Sequence, residues 1–187
     1  FFTVEDTDGI LNAGMKYGLR PKIHANELDY SGGIQVGVAH EALSVDHLEF
    51  TGAEEIEVLK NSDTVPTLLP STAFFLRLNY APARKMIDSG LGVALASDFN
   101  PGSSPSGNMP FVLSLACIHM KMLPEEVINA ATINGAYAMG LENQTGTISK
   151  GKQANLIITK PLDNIAQIPY YFGRNPVKIS VINGKIY

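Results

Sequence analysis

Ala96-Ser97-Asp98-Phe99-Asn100-Pro101-Gly102-Ser103 follows directly on the apolar run Leu91 to Leu95. An apolar strand that ends on an aspartate and passes into an Asn-Pro-Gly turn is how an α/β barrel presents a charged group at its C-terminal mouth. Upstream, Pro21-Lys22-Ile23-His24 ends in the same way on a histidine. The two strands predict a His and an Asp on one rim, a donor pair suited to a hard or borderline divalent cation.

The pattern around these strands is a βα alternation. A helix is expected from about Glu5 to Tyr17, with Ile10, Leu11, Gly14 and Met15 as its apolar face and Gly18 as its stop. Helical spacing over Ser31 to Ala39 leads to a second strand, Leu43 to Leu48, which carries His47 near its end. Thr51 to Leu59 reads as a helix with acidic residues in its first turn, and Val65 to Pro70 as a third strand. The prolines Pro66 and Pro70 suit strand ends or a bulge better than a strand interior. Ala81 to Ser89 reads as a helix closed by Gly90, ahead of the fourth strand. Met109 to Met122 and Pro124 to Met139 then read as two helices, the second with Pro at its first turn and Glu125 and Glu126 complementing its dipole.

From Thr145 the rhythm changes to short extended runs at 146–148, 154–158 and 177–182, with an Asn183-Gly184 hairpin signal. The expected organisation is therefore α/β: residues 1–144 as the C-terminal half of a TIM-like (β/α)8 hydrolase barrel with extra helices, and 145–187 as strands of a small β-rich domain. Four βα units make half of an eight-stranded barrel, which leaves two strand edges and an apolar inner face to be covered. An open doubly wound sheet is the competing architecture. It predicts a Gly-rich phosphate turn after an early strand, and neither GxGxxG nor GxxxxGK[ST] occurs.

Composition narrows the class of partner. The 187 residues are 45% apolar and 17% charged, enough for one domain with a real core. A net charge of −4 without a dense Lys/Arg run argues against nucleic acid or an anionic membrane as the main partner and favours a small molecule. No run of roughly 20 uncharged residues suits a membrane span, and no basic-then-apolar leader opens the chain. A single cysteine, Cys117, cannot staple the fold and sits in an apolar run, as a buried thiol in a reducing compartment does. These features give the expectation of a cytoplasmic protein. The opening on Phe1-Phe2-Thr3, without a methionine and in mid-pattern, gives the further expectation of a piece of a longer chain.

His24-Ala25-Asn26-Glu27, Ser44-Val45-Asp46-His47-Leu48, Leu68-Leu69-Pro70 and the Asp98 to Ser103 segment together resemble the imidazolonepropionase family of metal-dependent amidohydrolases. Thr132-Ile133-Asn134-Gly135-Ala136 and Gly146 to Lys152 belong to the same resemblance, which covers essentially the whole chain as the C-terminal part of a protein about twice its size. Asp-Phe-Asn-Pro-Gly-Ser is the specific element; a strand-end His and Asp alone indicate only the superfamily. The resemblance implies hydrolysis of the ring amide of 4-imidazolone-5-propanoate to N-formimino-L-glutamate, the third step of histidine degradation. It also implies one metal ion, zinc or iron, and a homodimer. Other cyclic-amide hydrolases or deaminases of the superfamily, or a non-catalytic half that only pairs with its complement, remain competing readings.

By the same resemblance His24 and Asp98 are metal ligands, and Asp98 also takes a proton from the attacking water. Glu27 contacts substrate and helps activate water. His47 hydrogen-bonds the attacking water or the developing oxyanion. Asn100, Gly102 and Ser103 receive the formimino-glutamate portion. Plainer roles compete at each position: a core or surface histidine for His24, an Asx turn for Asp98, a solvated loop acid for Glu27, and simple turn formation for Pro101 and Gly102. His40 and His119 are expected as a loop or helix residue and a helix-face residue, and Tyr170-Tyr171-Phe172 as packing. The family's first metal pair, a His-x-His, is absent, as are its Arg, Tyr and His substrate contacts. Two ligands do not close a metal site, so activity is expected only together with a further N-terminal half. Asn26 and Asn155 stand where the family often has Asp.

Overall fold

The computed structural model describes residues 2–187. Helix α1, Val4–Met15, begins at a capping box in which the Thr3 side chain accepts from the Asp6 amide and the Asp6 carboxylate accepts from the Thr3 amide, both at 3.1 Å. Four βα steps follow: β1 (Lys22–Ala25), α2 (Gly33–Ala39), β2 (Ser44–His47), α3 (Ala53–Lys60), β3 (Val65–Leu68), α4 (Pro70–Leu76), α5 (Ala83–Asp88) and β4 (Ala94–Leu95). The strands form one parallel sheet in the order β1-β2-β3-β4, with His24 opposite Asp46 and Ala25 opposite His47. Helices α6 (Met109–Met120), α7 (Pro124–Ala131) and α8 (Ile133–Ala138) come next. A three-stranded antiparallel sheet closes the chain with β5 (Leu156–Thr159), β6 (Val177–Ile182) and β7 (Lys185–Ile186), and α9 (Gln167–Tyr170) lies between its first two strands.

The core lies between the parallel sheet and its helices. Ile34, Val45, Leu48, Leu59, Leu68, Met86, Val112 and Val127 are fully buried in it. Gly37 lets α2 close onto the strands, since a Cβ there would collide with the Val45 side chain. On the far side Arg84 holds Glu126 bidentately at 2.8 and 3.0 Å, bracing α5 against α7 and keeping the Glu126 carboxyl below its usual pKa range. No helix among the described residues is long and apolar enough to cross a membrane.

Several expected elements differ. The apolar face of α1 is uncovered: no residue of the helix is buried, and Ile10 and Met15 stand open. Pro70 opens a helix instead of ending a strand, because its fixed φ suits a first helical position. Pro66 does lie inside β3, where only β2 reaches it; β4 pairs from Thr67 onward. The fourth strand is only two residues long, so Asp98 lies in the loop beyond it. The helix expected over 124–139 is broken at Thr132, whose φ of −122° and ψ of −88° are not helical. Residues 146–148 form no strand. The Asn183-Gly184 hairpin forms, with both residues at positive φ, 49° and 78°, as a primed turn requires. Tyr170 and Phe172 are exposed, so the aromatic cluster is not core packing.

Candidate metal centre

The C-terminal ends of the parallel strands converge. His24, exposed, is the third of four residues in β1, and His47, two per cent exposed, is the last residue of β2. His24 Nδ1 and His47 Nε2 lie 2.8 Å apart in a direct hydrogen bond between the rings. Asp98 reaches the same place from the loop after β4. One ligand atom from each of His24, His47 and Asp98 falls within 4.8 Å of the other two.

The backbone is bent to achieve this. Asn26, His47, Leu48 and Asp98 all have positive φ, between 50° and 86°, a region that non-glycine residues enter only when their surroundings hold them there. The Leu48 amide donates to the Ala25 carbonyl at 3.2 Å, and the Phe50 amide to the Asn26 carbonyl at 2.9 Å. Asn26 is fixed by its own amide, which donates to the Phe50 carbonyl at 2.9 Å, and by Ser31, whose hydroxyl donates to its Oδ1 at 3.0 Å. Asp98 accepts from the buried Thr72 hydroxyl at 2.6 Å, a contact across 26 residues that aims the carboxylate from the first turn of α4.

Acidic groups ring His47. Glu27 Oε2 stands 3.9 Å from Nε2, and Glu49 Oε1 stands 3.9 Å from Nδ1. Burial opposes charging of this imidazole, but the Glu49, Glu27 and Asp98 carboxylates outweigh it and raise its pKa above the usual histidine value. Glu27 is half-buried at the pocket wall of about 980 Å³ that runs from β1 beneath α1. Two imidazole nitrogens and a carboxylate oxygen form a donor set that zinc or iron accepts. The three donors, two on strands β1 and β2 and one in the loop after β4, lie close enough together for one such cation.

The loop that sequence reading took as a substrate cradle is largely tied up with itself. Asn100 Oδ1 accepts from the Gly102 and Ser103 amides at 2.9 and 2.8 Å, and its Nδ2 donates to the Asp98 carbonyl at 2.7 Å. Ser104, one per cent exposed, donates to the Ser97 carbonyl at 2.6 Å and pins the loop base. Asn100 therefore holds the turn that carries Asp98. His40 caps α2 and pairs with Asp8 at 2.7 Å, and His119 lies on α6 stacked on Tyr80; both are outside the cluster. Cys117 is half-buried, and burial helped by Glu126 and Glu125 pushes its thiol up to about 11, away from nucleophilic use. Sequence reading missed Thr72 and Glu49. No motif marks Thr72, and Glu49 reads as one acid among several in an acidic stretch.

Residues 6–187 match the model of the amidohydrolase family. The imidazolonepropionase of Flavobacterium johnsoniae is 59% identical over all of this chain, which covers 45% of that protein. That of Geobacillus thermodenitrificans is 44% identical over 99% of the chain and 43% of its own length. The chain thus spans about half the length of the curated relatives it matches. Among solved structures, a zinc-bound adenosine deaminase from Xanthomonas campestris superposes with a TM-score of 0.82 at 20% identity, over 98% of this chain and 48% of that one. A zinc complex of atrazine chlorohydrolase from Arthrobacter aurescens gives 0.78 at 16%, over 100% and 48%. Strand-end donors on a parallel sheet, a family match across nearly every residue and relatives alike over the whole chain agree: this chain belongs to the amidohydrolase family.

Proposed function

We propose that this chain is the C-terminal part of an enzyme that hydrolyses the ring amide of 4-imidazolone-5-propanoate to N-formimino-L-glutamate. The convergence of His24, His47 and Asp98 carries the reading, and the 43–59% identity to imidazolonepropionases gives the substrate. In this reading residues up to 144 form half of a (β/α)8 barrel and the sheet after 145 belongs to a smaller β domain. The open edges at β1 and β4, and coverage of about half of each relative, support it.

His24 and Asp98 hold the metal, zinc or iron, with further ligands supplied from the rest of the enzyme. When bound, the metal polarises the ring carbonyl and makes water a competent nucleophile near neutral pH. Asp98, aimed by Thr72, accepts the proton of the attacking water. His47 hydrogen-bonds the attacking water, accepting from it at Nε2. The ring C–N bond then breaks, and the departing nitrogen takes up the proton that Asp98 accepted from the water. Glu27 accepts from a ring N–H of the substrate and orients it. The backbone donors at Gly102 and Ser103, once turned from Asn100, meet the propionate end.

The test is metal content and loss of the substrate's ultraviolet absorbance, measured on this chain and on protein of the relatives' length. The expected result is about one metal per chain and turnover in the longer protein alone. Metal binding without turnover of this substrate would leave the family and overturn the substrate.

A further inference from the structure

On the Nδ1 side of His47, opposite the nitrogen that meets His24, lies a second carboxylate that the proposed reaction leaves unused. The Glu49 side chain is two per cent exposed, as is the His47 side chain it faces across 3.9 Å. His47 Nδ1 and Glu49 Oε2 both lack any hydrogen-bond partner, among only four such buried side-chain atoms in the described residues. Buried polar groups are almost always partnered, and a buried carboxylate is costly without a donor. The Glu49 oxygen nearest Nδ1 is Oε1, at 3.9 Å, and a shift of about 1 Å brings that buried carboxylate to an ordinary N–H···O distance from the unpartnered nitrogen.

The backbone makes this facing possible. His47 and Leu48 take positive φ in succession, 86° and 71°, a turn after which the Glu49 carboxylate stands 3.9 Å from the ring's Nδ1. The turn is pinned at Ala25, at Asn26 and by the Thr51 hydroxyl, which donates to the Leu48 carbonyl at 2.8 Å.

We infer that Glu49 is a positioning residue that sets the tautomers of both histidines, and through them which nitrogen of His24 meets the metal. This rests on the proposed function only for the effect on turnover. With both rings neutral, the 2.8 Å bond between His24 Nδ1 and His47 Nε2 needs one proton, on one side or the other. If His47 Nε2 carries it, a bare Nδ1 lone pair faces the Glu49 carboxylate, which is repulsive. If His24 Nδ1 carries it, His47 holds its own proton on Nδ1 and gives it to Glu49 as a hydrogen bond. The carboxylate selects the second arrangement. His47 Nε2 is then an acceptor, and His24 Nε2 keeps a free lone pair for a cation. When the cation draws His24 away, the same tautomer leaves His47 anchored from behind.

The direct test is the protonation site of each ring nitrogen, read by ¹⁵N NMR on metal-stripped protein of the relatives' length at alkaline pH, where both imidazoles are neutral. His47→Gln assigns the signals. The expected result is a proton on Nδ1 of both rings in the parent and in Glu49→Gln, whose amide oxygen still accepts. In Glu49→Leu the His47 proton becomes mixed between the two nitrogens. Zinc affinity and kcat in Glu49→Leu should fall by about 10- to 100-fold with little change in KM, and Glu49→Gln should recover most of the loss. A parent His47 protonated on Nε2 overturns the inference even if Glu49→Leu fails to fold. So does a folded Glu49→Leu protein with unchanged tautomers and zinc affinity. These readouts need no substrate, so they stand apart from the fate of the proposed reaction.

Discussion

The two sheets of this molecule put positive-φ residues to different uses. In the antiparallel sheet the left-handed residues are Asn183 and Gly184, at the tip of a two-residue hairpin where both types adopt that conformation readily. Along the rim of the parallel sheet they are Asn26, His47, Leu48 and Asp98, none of them glycine. The first set is satisfied by local turn chemistry. The second is held by contacts from neighbouring strands, from Thr72 and from the Ser31–Asn26 hydrogen bond. Strained backbone of this kind costs on the order of 1–3 kcal/mol per residue and persists only where the surroundings over-determine it. Burial follows the same division: β2, β3 and β4 are mostly buried, while β5, β6 and β7 have no buried residue. The rim is thus a place where packing around one sheet holds the candidate metal donors in strained backbone, whereas the small sheet carries little of the core.

The strongest way to break this contrast is at Asp98. On the proposed mechanism, Asp98→Asn in protein of the relatives' length removes a ligand charge and the proton acceptor together, so turnover should fall by several orders of magnitude with the melting midpoint preserved. Near-parent turnover would remove the rim's chemical role.

Next in size is a paired core truncation. Leu68→Ala in β3, fully buried, should destabilise by about 2–5 kcal/mol, and Ile157→Ala in β5, 62% exposed, by no more than about 0.5 kcal/mol, both read from denaturant midpoints. An equal loss at Ile157 would mean that the outer face of the small sheet is covered in the longer protein.

The smallest effect concerns the helical layer behind the parallel sheet. Burial raises the Cys117 thiol from 9.0 to about 11, so the folded protein keeps that proton when an unfolded chain would release it. Its contribution to stability is present below pH 9.0 and is lost as pH climbs toward 11. Iodoacetamide should modify it slowly in folded protein at mildly alkaline pH and rapidly in denaturant. Fast labelling of the folded state would show that α6 opens locally.

Much of the fold was readable because its signals are short-range. The strands that carry His24 and His47 show as short alternating segments, Ile23 with Ala25 and Leu43 with Val45, and Gly90 and the Asn183-Gly184 pair act through their own φ preferences. Errors fell where two local readings compete. Pro70 closes an apolar run or opens a helix equally well, and the helical pattern through Thr132 hides a break that only packing imposes. The open face of α1 was unreadable because an apolar stripe says what a helix wants to bury, and nothing about whether a partner covers it.

By itself the sequence determined which residue types stand at the strand ends: a histidine after Ile23, a histidine after Asp46, an aspartate ahead of an Asn-Pro-Gly turn. Their motif identity sufficed to predict a metal-binding rim and to suggest its family. Tertiary structure alone decided how these groups meet. His24 and His47 are 23 residues apart and join at 2.8 Å, Thr72 reaches Asp98 across 26 residues, and after two positive-φ residues Glu49 stands 3.9 Å from His47 Nδ1. The physical reason is that a side chain's direction at a strand end depends on backbone angles held by distant partners, and neither apolar periodicity nor local propensity contains those partners.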